Sequence, residues 1–95
     1  MSYEVLLSDD AVSYLSSLDE KSERICEENL RKLAESPYPG EGKGDKEKLV
    51  VDGEKLFRLH VGRTHTAFYL VAEGANEVRV VEILPIDEAH KRYGY

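Results

Sequence analysis

The hydrophobic period changes once along this chain, and that change does most to limit what it can fold into. Between positions 11 and 34 apolar residues recur at helical spacing, as Ala11, Val12, Tyr14, Leu15 and Leu18, then Ile25, Cys26, Leu30, Leu33 and Ala34. Beyond a polar stretch at 41–45 the pattern alternates. Phe57, Leu59 and Val61 share one side of an extended segment, and Leu56, Arg58 and His60 share the other. Helices grouped together and strands grouped together give a layered α+β domain.

Local signals bound the elements. Tyr3-Glu4-Val5-Leu6-Leu7 reads as a short strand. Ser8 before Asp9 and Asp10 predicts a helix start, since a hydroxyl accepts from a free amide and acids suit the positive end of the helix dipole. Asp19 with Glu20 predicts a second start, and Ser36-Pro37-Tyr38-Pro39-Gly40 ends that helix. Leu49-Val50-Val51 is a short strand candidate closed by an Asp52-Gly53 turn. Strand-forming runs follow at 56–61, 64–72 and 77–84, with turns at Gly62-Arg63 and Gly74-Ala75-Asn76. Pro85 stops the last strand, and 87–93 suits one or two helical turns. The order reads β-α-α-β-β-β, a helical hairpin packed on one face of a small antiparallel sheet.

A length of 95 residues suits a single domain spanning 1–95. The one cysteine, Cys26, excludes an internal disulfide and a thiolate metal site, and its place in the apolar stripe predicts a buried thiol. No apolar run approaches a membrane span, and Met1 leads directly into a charged strand, so a cytoplasmic domain with no membrane partner is expected. The net charge of −6 disfavours a protein that simply coats nucleic acid or an anionic membrane. That charge is unevenly spread. Residues 1–42 hold ten acids against four bases, whereas 43–66 hold six bases against four acids, together with His60 and His65. Acid therefore concentrates on the expected helical hairpin and base on the first strands after it.

If both helices cover one side of the sheet, the other side is free for chemistry. Arg58 and His60 alternate onto the side opposite Phe57, Leu59 and Val61. In the next strand Thr66, Phe68 and Leu70 form the more apolar set and suit the helices. That parity puts His65 and Tyr69 beside Arg58 and His60.

Three segments in this order resemble the RelE/ParE superfamily of toxins from toxin–antitoxin systems. Leu33-Ala34-Glu35-Ser36-Pro37-Tyr38-Pro39 is similar to the end of that family's second helix. Phe57-Arg58-Leu59-His60-Val61-Gly62 is similar to its "YRLRVG" strand, and residues 83–93 to its closing strand and terminal tyrosine. The resemblance spans nearly the whole chain. It implies a RelE-like toxin that cleaves mRNA on the ribosome and inhibits translation. It also implies a cognate RelB-like antitoxin that sets the oligomeric state; no cofactor or metal is expected. Arg58 and His60 fall at the family's outward basic positions in that strand, His65 where an arginine is usual, and Tyr93 at the terminal tyrosine. Lys43, Lys46 and Lys48 fall where members place positive charge. Asp87, or its neighbour Ile86, stands where the family has another arginine, and an acid there repels phosphate.

RNA cleavage by 2′-hydroxyl attack needs a base for that hydroxyl, an acid for the leaving oxygen and cations for the crowded phosphate. Histidine suits both proton roles near neutral pH. The working assignment gives Arg58 and Arg63 the phosphate charge. His65 becomes base or acid, with His60 or Tyr93 as its counterpart, and Lys43, Lys46 and Lys48 bind RNA. The plainer alternative is that His60 and His65 are polar residues on a solvated sheet face. A metal set of His60, His65 and Glu82 lacks recognisable ligand spacing. Two non-catalytic alternatives stand beside the nuclease: a ParE-like gyrase inhibitor and an inactive toxin-fold binding module.

Overall fold

The computed structural model describes residues 2–38, 45–51, 53–62 and 64–93. The chain begins with strand β1 (Glu4–Leu7), then helices α1 (Asp9–Ser16) and α2 (Glu20–Arg31), the latter tightening into a 3₁₀ turn at Lys32–Ala34. Strands β2 (Asp45–Val51), β3 (Glu54–Val61), β4 (His65–Ala72) and β5 (Glu77–Pro85) follow, and helix α3 (Ile86–Tyr93) comes after them. Both predicted helix starts form as expected. The Ser8 hydroxyl accepts from the Ala11 amide at 3.1 Å, and the Asp19 carboxylate accepts from the Ser22 amide at 3.2 Å.

The α+β class holds, with two differences from the expected β-α-α-β-β-β order and antiparallel sheet. Four strands follow the helical pair, one for each run marked at 49–51, 56–61, 64–72 and 77–84, so the order β-α-α-β-β-β is one strand short and the sheet has five, ordered β1-β5-β4-β3-β2. The sheet is also mixed, because β1 runs parallel to β5 while the remaining pairs are antiparallel. The strand signal at Leu49-Val50-Val51 extends back to Asp45, because the edge strand opens with the charged run Asp45-Lys46-Glu47-Lys48. Charge on an edge strand disfavours indiscriminate edge-to-edge aggregation, and it also hides the strand from a hydrophobicity reading.

One large core lies between the helical pair and the sheet. Ala11, Leu15, Cys26, Leu30 and Leu33 meet Phe57, Leu59, Val61, Ala67, Tyr69, Val78, Val80 and Ile83 there. Phe57 stacks on Tyr69 with centroids 5.5 Å apart, and the Tyr69 hydroxyl donates to the Pro37 carbonyl at 2.6 Å, fixing the helix exit against the sheet. Burial drives the Tyr69 phenol far above its ordinary pKa. A smaller core occupies the other face, where Ala89 of α3 packs with Leu56 and Phe68, flanked by Leu70, Val81 and Leu84. A register shift in the β4–β5 ladder at Phe68/Tyr69 makes this possible, with Val80 and Ile83 on the large core and Val81 on the small one.

The β3–β4 connection turns at Gly62, whose φ of +60° lies in the left-handed region that favours glycine. No helix among the described residues is long and apolar enough to cross a membrane.

Candidate functional site

The sheet divides the sequence-predicted site residues into two groups. Antiparallel partners share a face, and Phe57, Leu59 and Val61 pair with Tyr69, Ala67 and His65. His65 and Tyr69 therefore lie on the helical side, whereas Thr66 and Phe68 stand beside His60 and Arg58. The parity expectation is overturned. The reason is that α3 returns across the second face and needs Phe68 beneath it, so both sides of β4 are apolar. Hydrophobicity alone cannot choose between two covered faces.

On the helical side, Lys46 pairs with Leu59 and Lys48 with Phe57, placing both lysines on the face away from Arg58 and His60. Lys46 is buried, and its ammonium donates to the Ser36 carbonyl at 2.5 Å, tying β2 to the end of the helical hairpin. Lys48 is exposed. His65 is half-buried where α1 meets the sheet, and its Nδ1 hydrogen-bonds the Tyr14 hydroxyl at 2.7 Å, the two rings edge to face. Burial lowers the His65 pKa against a smaller upward pull from Asp19, so the neutral imidazole is favoured. Burial likewise raises the Tyr14 phenol. The sequence gives no sign of this pair, because Tyr14 is one apolar position among several on α1 and its hydroxyl meets His65 only through the packing of α1 on β4.

On the second face, Arg58 is 6% exposed and His60 half-buried. Arg58 pairs across the sheet with Glu47 on β2 and Phe68 on β4, and Phe68 pairs in turn with Glu82 on β5. Helix α3 lies over this face through Ala89, and Arg58 itself is buried, so a phosphate has little access to its guanidinium. Asp87 and Glu88 occupy the first turn of α3, where acids stabilise a helix, which gives the departure at Asp87 a structural role. Tyr93 closes α3. Its side chain, like Lys43 and Arg63, lies outside the described residues. Among the described residues no group of three His, Cys, Asp or Glu side chains is arranged to hold a metal ion. Cys26 is buried, and burial raises its thiol above the ordinary range, as its place in the apolar stripe predicts.

The arrangement thus offers a cation and an imidazole together at Arg58 and His60, and separately a neutral imidazole–phenol pair at His65 and Tyr14, with the sheet between them. No family profile and no curated protein matches the chain. Solved structures do. An archaeal RelE–RelB complex from Pyrococcus horikoshii matches at a TM-score of 0.74 and 28% identity, covering 90% of this chain and 96% of that one. The toxin–antitoxin complex RelBE2 of Mycobacterium tuberculosis matches at 0.73 and 17% identity, covering 87% and 96%. A YoeB dimer from Staphylococcus aureus matches at 0.66 and 20% identity, covering 86% and 94%. The two more distant likenesses are likenesses of fold.

Proposed function

Taking this chain as a member of the RelE/ParE toxin superfamily by fold, we propose that it is the toxin of a toxin–antitoxin pair and a ribosome-dependent mRNA endoribonuclease. The observation that carries this reading is the likeness to the archaeal RelE–RelB complex, at 28% identity over 90% of the chain. Its partners on this reading are a RelB-like antitoxin and mRNA on the cytoplasmic ribosome, and its effect is arrest of translation. Arg58 supplies phosphate charge, with Lys43 and Arg63 as further contacts, and His60 moves the proton at the 2′-hydroxyl or the leaving oxygen. Tyr93 is the counterpart in that transfer. His65, held by Tyr14 on the helical side of the sheet, takes no part in that transfer.

The test is cleavage of an mRNA codon in the ribosomal A site, alongside growth on induced expression with and without the neighbouring gene. His60→Ala is expected to lower cleavage by about 10²–10⁴-fold, the usual worth of a proton-transfer group. His65→Ala is expected to give the wild-type product. A reversed pair of results moves the chemistry to the helical side.

The burial of Arg58 and the acid at Asp87 favour a second reading, a toxin-fold protein that works by binding alone. A protein of that kind leaves mRNA intact. Inhibition of gyrase supercoiling then identifies a ParE-like inhibitor, and no growth effect at any level identifies an inactive binding module.

A further inference from the structure

At the end of the sheet away from His60, Lys48 and Val50 of β2 and Lys55 and Phe57 of β3 share one face. Lys48 pairs with Phe57 and Val50 with Lys55, so the two lysines stand on a diagonal, roughly 7–8 Å apart at the backbone. They line a groove of ≈ 750 Å³ whose wall includes Tyr38 and Val71. Val50 beside it is 67% exposed, the largest exposure among the described bulky apolar side chains. Glu73, the acid in the groove, accepts hydrogen bonds from the Tyr3 hydroxyl at 2.9 Å and from the Tyr38 hydroxyl. Arg79 is held by Glu77 at 2.8 Å. Among the described residues Lys48 and Lys55 have no such partner, and both are exposed. The outer edge of β2 has no neighbouring strand among the described residues.

We propose that this edge and groove bind an acidic, extended segment of a partner protein, laid as a strand beside β2 with carboxylates at Lys48 and Lys55 and an apolar side chain against Val50. Three observations point to a peptide. An open edge supplies main-chain hydrogen bonds that only another backbone matches in a row. Side chains on one face of an added strand recur about every 6.8 Å, close to the spacing of the two lysines. The Phe57 ring is engaged by Tyr69 and, edge to face, by Tyr38, so it offers no open platform on which a base stacks. Lys48 and Lys55 lie on the opposite face of the sheet from Arg58 and His60, so the binding is tested with both of those residues intact.

The probe is a fluorescent nine-residue peptide, Glu-Thr-Val-Thr-Glu-Thr-Val-Thr-Glu, which as a strand presents glutamate and valine in turn on one face, with the same peptide carrying lysine for glutamate as control and a ten-nucleotide oligouridylate as competitor. Saturable binding of the glutamate peptide alone is expected, weakening as salt rises. Lys48→Gln with Lys55→Gln is expected to weaken it about tenfold, the sum of two exposed ion pairs. Because both side chains are exposed, the variant keeps its fold, which its thermal melt verifies. Absence of binding overturns the proposal, as does equal binding by the double variant or by the lysine peptide. Displacement by oligouridylate assigns the groove to RNA and overturns it too. Growth arrest and mRNA cleavage are read separately, so failure here leaves the toxin reading standing.

Discussion

Thr66 is fully buried on β4, and its Oγ1 finds no hydrogen-bond partner among the described residues. A buried hydroxyl without a partner costs about 1–3 kcal/mol, and valine fills the same volume without it. Thr66→Val is therefore expected to stabilise the protein by about 1 kcal/mol, seen as a rise of roughly 4–8 °C in the melting midpoint. On the next residue back, His65 makes stability depend on pH. The unfolded imidazole titrates near 6.5, and burial holds the folded one lower. Between those values the unfolded chain binds the extra proton, so stability is full above the window and falls as pH drops through it. Urea midpoints measured from pH 7.5 to 5 are expected to decline in wild type. The decline is expected to be shallower in His65→Gln, which keeps a polar partner for Tyr14 but does not titrate.

Helix α3 is an element held by few contacts. Ala89 is 1% exposed against Leu56 and Phe68, whereas among the described residues the large core contains none from α3. A carboxylate at position 89 would be buried without a partner, so Ala89→Asp is expected to release α3 rather than unfold the sheet. Hydrogen exchange checks this: α3 amides lose protection while those of β4 and β5 keep theirs. The same element explains what the sequence conceals. Ser8, Asp19 and the Pro37 exit are local signals, each recognisable within a few residues, and the helical pair follows from them. The face assignment of β4 is set by a helix that starts some fifteen residues later, so Phe68 and Leu70 look core-facing in either orientation. The parallel pairing of β1 with β5 has no local signature, and the charged start of β2 obscures an edge strand. Arg58 and His60 were legible as neighbours on one strand, but the separation of His65 from them depended on pairing across the Gly62 turn.

For the molecule as a whole, net charge is a poor guide to what its surface attracts. The protein measures 34 × 27 × 25 Å, several times the Debye length of about 8 Å at physiological salt. Acids on α1 and α2 and lysines on β2 and β3 therefore act locally, and a chain of net −6 still presents cationic ground to a negative partner. One feature of α1 also bears on how the chain is made. The Ser8 hydroxyl that receives the Ala11 amide itself donates to the Val81 carbonyl at 2.6 Å, across 73 residues of sequence. At ribosomal speeds of about 5–20 residues per second, roughly 4–15 s separate the synthesis of the two ends of that bond. Throughout that interval β1 has no parallel neighbour and the apolar stripe of the helical pair has no sheet to cover. The newborn chain must wait, and a binding protein present during the wait meets surfaces that the finished fold conceals.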